Sequence, residues 1–352
     1  MIRRSIEERN ELIKLLNNPS FDNTRNELNA DLFVNNLKNT LKGFGFNPKV
    51  TYNVYRSVTV YNVSWMDDKD YNDFKNNKEE IALALGIKKE ELKITKLSDN
   101  EAKIKVPNMK KDTLSMKELL FDYKSSDKFD IPLGLDDEDN IITYDFNDDG
   151  SLLVTGVSGT GKTNLFRSII MNTLINYENS KIILLDSQGI NYNDFDGVCE
   201  VINDENLIIN RIKEIRKEFE DRIANSDFDR DKIIVFIDEI YEILELSNSV
   251  DEDINYLVQE GNKANINFVV STDSILSDNI KRIFTNKEVT KLSFYLASRE
   301  EYNLFLNKKV NVPLHNDGVY LNEKEGLTNL FIPFVENEEV VRIVNRVIED
   351  SE

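Results

Sequence analysis

Apolar positions follow one rhythm before residue 150 and another after it. In the first part, Ile2, Ile6, Leu12, Leu15 and Leu16 recur at helical spacing. Asn17-Asn18-Pro19 behind them is a stop signal, so the pattern predicts a single helix over 1–20. Leu32 to Leu41 predicts a second helix, ended by Gly43 and Gly45. Val50 to Ser64, rich in Val, Tyr and Thr, reads as strand or hairpin. A helix over Lys78 to Leu85 follows. Two short strands come next, Leu92 to Lys96 and Ala102 to Val106, closed by Pro107 and Asn108. The expected organisation is a helix over 1–20, a small α+β domain over 21–125 and a larger α/β domain over 126–352.

From 151 onward the apolar runs become near-continuous: SLLVTG (151–156), KIILLD (181–186), KIIVFID (232–238), NFVVST (267–272) and KLSFYLA (291–297). Strands of this kind separated by amphipathic helices predict a largely parallel sheet covered on both faces. Just before them, 136–149 is acidic around a short strand, Ile141 to Tyr144. Asp145, Asn147, Asp149 and Gly150 imitate the opening of a calcium loop. Gly156 stands where the closing glutamate is required, so the stretch reads as a solvated turn.

Composition narrows the chemistry. With 352 residues, 40% apolar and 31% charged, the chain has the make-up of a globular protein. One cysteine, Cys199, excludes a disulfide framework and a cysteine zinc cluster. One histidine, His315, excludes multi-histidine metal sites and leaves any nucleophile–histidine triad a single base. Against 64 acidic side chains the 44 basic ones leave a formal charge of −20. That argues against a DNA-coating or membrane-hugging surface, while leaving room for a basic channel inside an acidic shell. Apolar runs such as Ile233 to Ile237 fall far short of the roughly 20 residues a spanning helix needs. The N-terminus lacks the apolar core of a signal peptide, so the expected compartment is the cytoplasm.

The residues that carry chemistry are Gly156-Val157-Ser158-Gly159-Thr160-Gly161-Lys162-Thr163, between a strand and a helix continuing from Asn164. Glycines let backbone N–H groups turn inward around phosphates, and the helix N-terminus adds its dipole. Lys162 is placed for the β- and γ-phosphates of ATP and Thr163 for Mg²⁺. Asp238 and Glu239 end a buried strand 76 residues after Lys162 (238 − 162). There Asp238 can hold the Mg²⁺ shell and Glu239 can act as general base. The pair of motifs implies a P-loop nucleotide hydrolase.

The surrounding segments resemble the FtsK/SpoIIIE family of DNA translocases, P-loop ATPases of the FtsK-HerA group, over roughly 30 to 349. IALALGIKKEELKITKL and EAKIKVPNMKKDTLSMKELL (81–120) resemble the family's small β domain. IPLGLDDEDNIITYDFNDDGSLLVTGVSGTGKTN resembles its entry into the phosphate loop. KIILLD carries the family's aspartate as Asp186, and EVINDENLIINRIKEIRKEFEDRI resembles the helix after it. IIVFIDEIYEIL and LVQEGNKANINFVVSTD are similar to the acidic motif and sensor strand, and DGVYL and FIPFVENEEVVRIVNRVIED to the closing strand and helix. The family's membrane-spanning N-terminal region and winged-helix module have no counterpart in this stretch. The resemblance implies a RecA-like motor that assembles as a ring, expected to be a homohexamer, and moves double-stranded DNA. The first functional reading is then a double-stranded DNA pump of a mobile element or virus, serving conjugative transfer, replication or packaging, with a membrane or mobile-element protein as a further partner.

Two departures bear on the site. The family's Thr-Gln is Thr272-Asp273 here, and an ionised aspartate cannot donate a hydrogen bond to a phosphate, leaving Thr272 as the sensor candidate. The family's trans-acting arginine matches Lys263, with Arg282 and Arg299 as alternatives. DNA is expected to meet Lys281 and Arg282, with Lys287 weaker; each reads equally as a solvated surface charge. Lys103, Lys105, Lys110 and Lys111 form the densest basic cluster and read as the edge of a small sheet. Cys199 reads as a small apolar core residue, Tyr241 as packing, and His315 as a surface or packing residue. Two other functions compete: a type VII-like protein-secretion ATPase, and an ATP-binding regulator without productive translocation.

Overall fold

The computed structural model describes residues 2–18, 24–108, 113–124, 128–178, 181–226, 230–246, 248–285, 289–307, 318–322 and 326–351. Lys110, Lys111, Lys287 and His315 lie outside them. The chain forms two compact units. One comprises Met1–Pro19, Leu114–Asp136 and Ile141–Glu352, and the other Ser20–Thr113 with Asp137–Asn140.

The chain opens with strand β1 (Ile2–Arg3) and helix α1 (Ile6–Lys14). The helix begins at residue 6 because Ser5 caps it: the Ser5 hydroxyl accepts the Glu8 N–H while the Glu8 carboxylate accepts the Ser5 N–H. Ile2 and Arg3, predicted helical, instead pair antiparallel with Glu178 and Tyr177.

The smaller unit contains α2 (Thr24–Gly43), β2 (Pro48–Val54), β3 (Val58–Trp65), α3 (Tyr71–Asn76), α4 (Lys78–Ala84), β4 (Lys93–Ser98) and β5 (Glu101–Pro107). Its strands form an antiparallel sheet in the order β2-β3-β5-β4. Alternation sets the buried face: in β5, Ala102, Ile104 and Val106 point inward while the lysines between them do not. Trp65 stacks on Phe74 with ring centroids 4.9 Å apart and takes Phe46 edge-on at 5.4 Å. Lys103 and Lys105 of the basic cluster pair with Glu138, at 3.1 and 2.9 Å.

In the larger unit, α5 (Met116–Asp122) and the hairpin β6 (Asp130–Leu135) and β7 (Ile141–Asp145) precede the main sheet. There follow β8 (Leu152–Thr155), α6 (Lys162–Asn176), β9 (Tyr177–Glu178, the partner of β1), β10 (Lys181–Asp186), β11 (Glu200–Ile202) and α7 (Glu205–Ala224). Next come β12 (Ile233–Asp238), α8 (Ile240–Leu246), α9 (Asn248–Glu260), β13 (Ile266–Thr272), α10 (Asp278–Phe284), β14 (Thr290–Ser293) and α11 (Arg299–Leu306). Strands β15 (Gly318–Asn322) and β16 (Gly326–Leu330) and helix α12 (Asn337–Glu349) close the chain. The eight-stranded sheet runs β11-β10-β12-β13-β8-β14-β15-β16, parallel from β11 to β14 and antiparallel beyond.

Alternate residues of each central strand supply two cores. Leu152, Val154, Ile182, Leu184, Ile234 and Phe236 face the side of α6 and α12. Leu153, Ile183, Leu185, Ile233, Val235 and Ile237 face the side of α7 to α11. Both faces of the central strands are therefore dry, apart from Lys181 at the start of β10. Helix α6 is buried over most of its length. Its interior polar side chains turn back on the helix: the Thr173 hydroxyl donates to the Ile169 carbonyl at 2.8 Å, and the Asn176 amide to the Asn172 carbonyl at 2.7 Å.

The end of the sheet where strands begin carries a second buried polar cluster. Lys232 Nζ donates to Asn267 Oδ1 at 2.8 Å, and Asn267 Nδ2 donates to the Phe146 and Gly150 carbonyls at 2.6 and 3.1 Å. Burial pulls the Lys232 ammonium down to about 8. Nearby, the Asp145 carboxylate accepts the Asn147 and Asp148 N–H groups, so the calcium-loop-like stretch is a turn folded onto its own backbone.

Candidate nucleotide-binding site

Strand β8 delivers the glycine loop at the end of the sheet where parallel strands finish, and Gly161 in the left-handed region (φ 115°) turns the chain into α6. A Cβ on Gly156 would come within 2.6 Å of the Phe294 side chain and 2.7 Å of Thr160 Oγ1, so no larger residue fits that turn. The loop is braced from β14. The Phe294 N–H donates to the Thr155 carbonyl at 2.8 Å, and the Val157 N–H donates to the Tyr295 carbonyl at 2.9 Å. This path explains why β14 ends at Ser293 although apolar character continues to Ala297: the chain leaves the sheet to wrap the loop. Ser158 and Gly159 are exposed at the loop's crest.

Lys162 lies 5% exposed beneath the loop. Its ammonium donates to the Gly156 carbonyl at 2.6 Å, faces Glu239 Oε1 at 3.1 Å and is ion-paired with the Asp273 carboxylate. Thr163 Oγ1 stands 3.5 Å from Asp238 Oδ2. Asp238 is fixed on both sides, accepting Ser271 Oγ on Oδ1 at 2.5 Å and the Tyr192 hydroxyl on Oδ2 at 2.7 Å. Desolvation raises the Asp238 pKa, and these two hydrogen bonds oppose it. An all-oxygen set of hydroxyl and carboxylate, held in a buried place that disfavours an uncompensated negative charge, suits Mg²⁺.

Glu239 sits in the left-handed region (φ 51°), a conformation that turns its side chain off the strand and over Lys162. Its N–H donates to Ser271 Oγ at 3.0 Å, and its Oε2 accepts the Asp273 N–H at 3.0 Å. Burial, only partly offset by Lys162, lifts its carboxyl to about 7. A carboxyl poised there can take a proton near neutrality.

The loop residues, Lys162, Thr163, Asp238 and Glu239 thus converge. The other expected site residues make different contacts. The Thr272 hydroxyl donates to the Ser274 carbonyl at 3.0 Å, and its own carbonyl accepts the Gly156 N–H at 3.3 Å. The Asn164 side chain is taken up by the Pro333 carbonyl at 2.8 Å and the Val335 N–H at 2.9 Å. Lys263 precedes β13 and is exposed beside Glu260, at the opposite end of a seven-residue strand, roughly 20 Å from the loop. Lys281 and Arg282 lie on α10, paired with Asp278 at 3.3 Å and Asp251 at 3.7 Å. Asp186, at the end of β10, accepts the Asn191 N–H at 3.1 Å. Two site residues escaped sequence reasoning. Ser271 directly precedes Thr272 in β13, which pairs with β12, so strand adjacency could have found it; Tyr192 lies in an irregular connection with no such signal.

Fold and site define a P-loop ATPase, and residues 148–303 match the AAA domain family. The chain is 25% identical to DNA translocase FtsK of Staphylococcus aureus (strain Mu50 / ATCC 700699), over 97% of this chain and 48% of that protein. It is 23% identical to DNA translocase SpoIIIE of Bacillus subtilis (strain 168), over 82% of this chain and 44% of that one. It therefore spans about half the length of the curated relatives it matches. Among solved structures, the pCW3 conjugation coupling protein TcpA, in monomer form with ATPγS, superposes with a TM-score of 0.61 at 14% identity. That match covers 92% of this chain and 99% of the other. ATPases 2 and 3 of Thermomonospora curvata EccC superpose with a TM-score of 0.55 at 18% identity, over 73% and 48% of the two chains. These structural likenesses establish the RecA-like fold. The chain is similar to the DNA translocases FtsK and SpoIIIE, at 25% and 23% identity.

Proposed function

We propose that the chain hydrolyses ATP and couples the cycle to movement along double-stranded DNA, as one subunit of a ring. The observation that carries this reading is the convergence of Lys162, Thr163, Asp238 and Glu239 at one loop, in a chain similar to FtsK over nearly its whole length. Amides of the glycine loop and the Lys162 ammonium receive the phosphates. Thr163 and Asp238 would hold Mg²⁺, which would supply charge neutralisation to the phosphates. Ser271 and Tyr192 keep Asp238 aimed, while Glu239 takes the proton of the attacking water.

A hydrolysis site of this kind is completed by a cation from outside it. Lys263 is too far from its own loop to serve it, and so would act on a neighbouring subunit's nucleotide; Arg282 and Arg299 are the other candidates. Lys281 and Arg282 are proposed for the DNA phosphates. The Lys281–Asp278 pairing is an exposed surface contact that a phosphate backbone can replace, and Arg282, itself half-exposed, reaches the more buried Asp251 at 3.7 Å. Among the described residues no helix is long and apolar enough to cross a membrane.

The test is steady-state ATP hydrolysis by the purified protein with and without long double-stranded DNA, with Lys162→Ala as blank. Stimulation by duplex, but not by single strands or unfolded polypeptide, is the expected result. Turnover indifferent to duplex would overturn the DNA-motor reading, and stimulation by polypeptide would replace it with protein secretion. Neutralising Lys281 and Arg282 together should lower the salt dependence of DNA binding by about two phosphate contacts.

A further inference from the structure

Lys162 has three N–H donors, and three groups already surround it: the Gly156 carbonyl, the Glu239 carboxyl and the Asp273 carboxylate. A terminal phosphate that binds this lysine must displace one of them. The Gly156 carbonyl belongs to the loop itself. Glu239 is tied by its second oxygen to the Asp273 N–H and keeps only 19% of its side chain exposed. The Asp273 side chain is 48% exposed and stands at the mouth of the site. It is the partner that can leave without disturbing the loop or the strand end.

We propose that the Asp273 carboxylate occupies the place of the γ-phosphate on Lys162 and selects against triphosphate until it is displaced. This rests on the nucleotide-site reading above and concerns its regulation. The carboxylate and the γ-phosphate are both anions competing for one ammonium, so they cannot share it without repulsion. A diphosphate leaves the outer position empty and meets the competition less. Asp273 is therefore a positioning residue: it sets the balance between triphosphate and diphosphate through Lys162.

The experiment is calorimetric titration of Mg–ATPγS and Mg–ADP into the parent protein, Asp273→Asn and Lys162→Ala, without DNA. Asp273→Asn keeps the shape and removes the charge. It should tighten ATPγS binding about tenfold while changing ADP affinity less than about threefold, the effect expected for releasing a charged hydrogen bond. Unchanged or weaker ATPγS binding in this variant would overturn the proposal. So would equal tightening of both nucleotides, which would show a general charge effect rather than competition at the γ position. If the parent binds neither nucleotide, or binds both as Lys162→Ala does, the nucleotide site itself is wrong and the proposal falls with it. A thermal melt of Asp273→Asn matching the parent separates these outcomes from misfolding.

Discussion

The two ends of the parallel sheet both bury polar side chains, yet they use them in opposite ways. At the end where strands start, Lys232 donates to the neutral Asn267 amide, which in turn donates to backbone carbonyls, so the ammonium's hydrogen-bond partner there is uncharged. At the end where strands finish, Lys162, Asp238, Glu239 and Asp273 crowd together, with the Asp238 and Glu239 carboxyls shifted upward by burial and one ammonium shared among several acceptors. The first arrangement is closed and fastens the acidic turn to the sheet. The second has charges whose best partners are still to arrive. Buried polarity alone does not mark a working site; unresolved competition among charges does.

The largest effect should come from Glu239→Gln, which removes the proton acceptor and leaves the loop intact. Turnover should fall about 10²- to 10⁴-fold with ATP binding retained, measured by hydrolysis beside nucleotide titration. In the parent, turnover should climb as pH rises through about 7, because the folded carboxyl holds its proton up to there, against an ordinary value of 4.5. The linked stability runs the other way. The folded state binds this proton more tightly, so the group's contribution is full below about 4.5 and is lost as pH rises through about 7. Lys162→Ala should come next, weakening Mg–ATPγS binding about a hundredfold, since at least two charge-assisted contacts to phosphate disappear. The smallest change belongs to the opposite end of the sheet. Asn267→Ala should cost about 2 kcal/mol in chemical denaturation, by stranding the Lys232 ammonium and two carbonyls, with nucleotide affinity untouched. If Asn267→Ala altered nucleotide affinity as strongly as stability, the contrast between the two ends would collapse.

Much of this arrangement is legible in the sequence because it rests on local pattern. Near-continuous apolar runs gave the parallel strands, and the glycine spacing before Lys162 gave the loop, since both follow from short-range sterics. The limits are equally physical. Helix α1 starts at residue 6 because a Ser5–Glu8 capping box outcompetes a helical period that continues through Ile2, and Ile2 and Arg3 are claimed by strand partners 176 and 174 positions away (178 − 2 and 177 − 3). Strand β14 stops at Ser293 because Phe294 and Tyr295 are needed beside the loop, a tertiary demand that hydropathy cannot register. Asp273 reads in sequence as a lost hydrogen-bond donor; in space it is a partner of Lys162. Tyr192 reaches Asp238 from a connection with no pattern at all.

The left-handed backbone of Glu239 carries an evolutionary implication. An ordinary L-residue held there costs about 1–2 kcal/mol, a strain that glycine would not feel. Glu239→Gly would relax the backbone and remove a poorly solvated carboxyl in a single step, while abolishing proton transfer. A population of variants selected only for resistance to heat would drift toward that loss, and one selected for turnover would resist it. The position is thus a point where fitness and foldedness pull apart, and directed evolution under the two pressures would separate along this one codon.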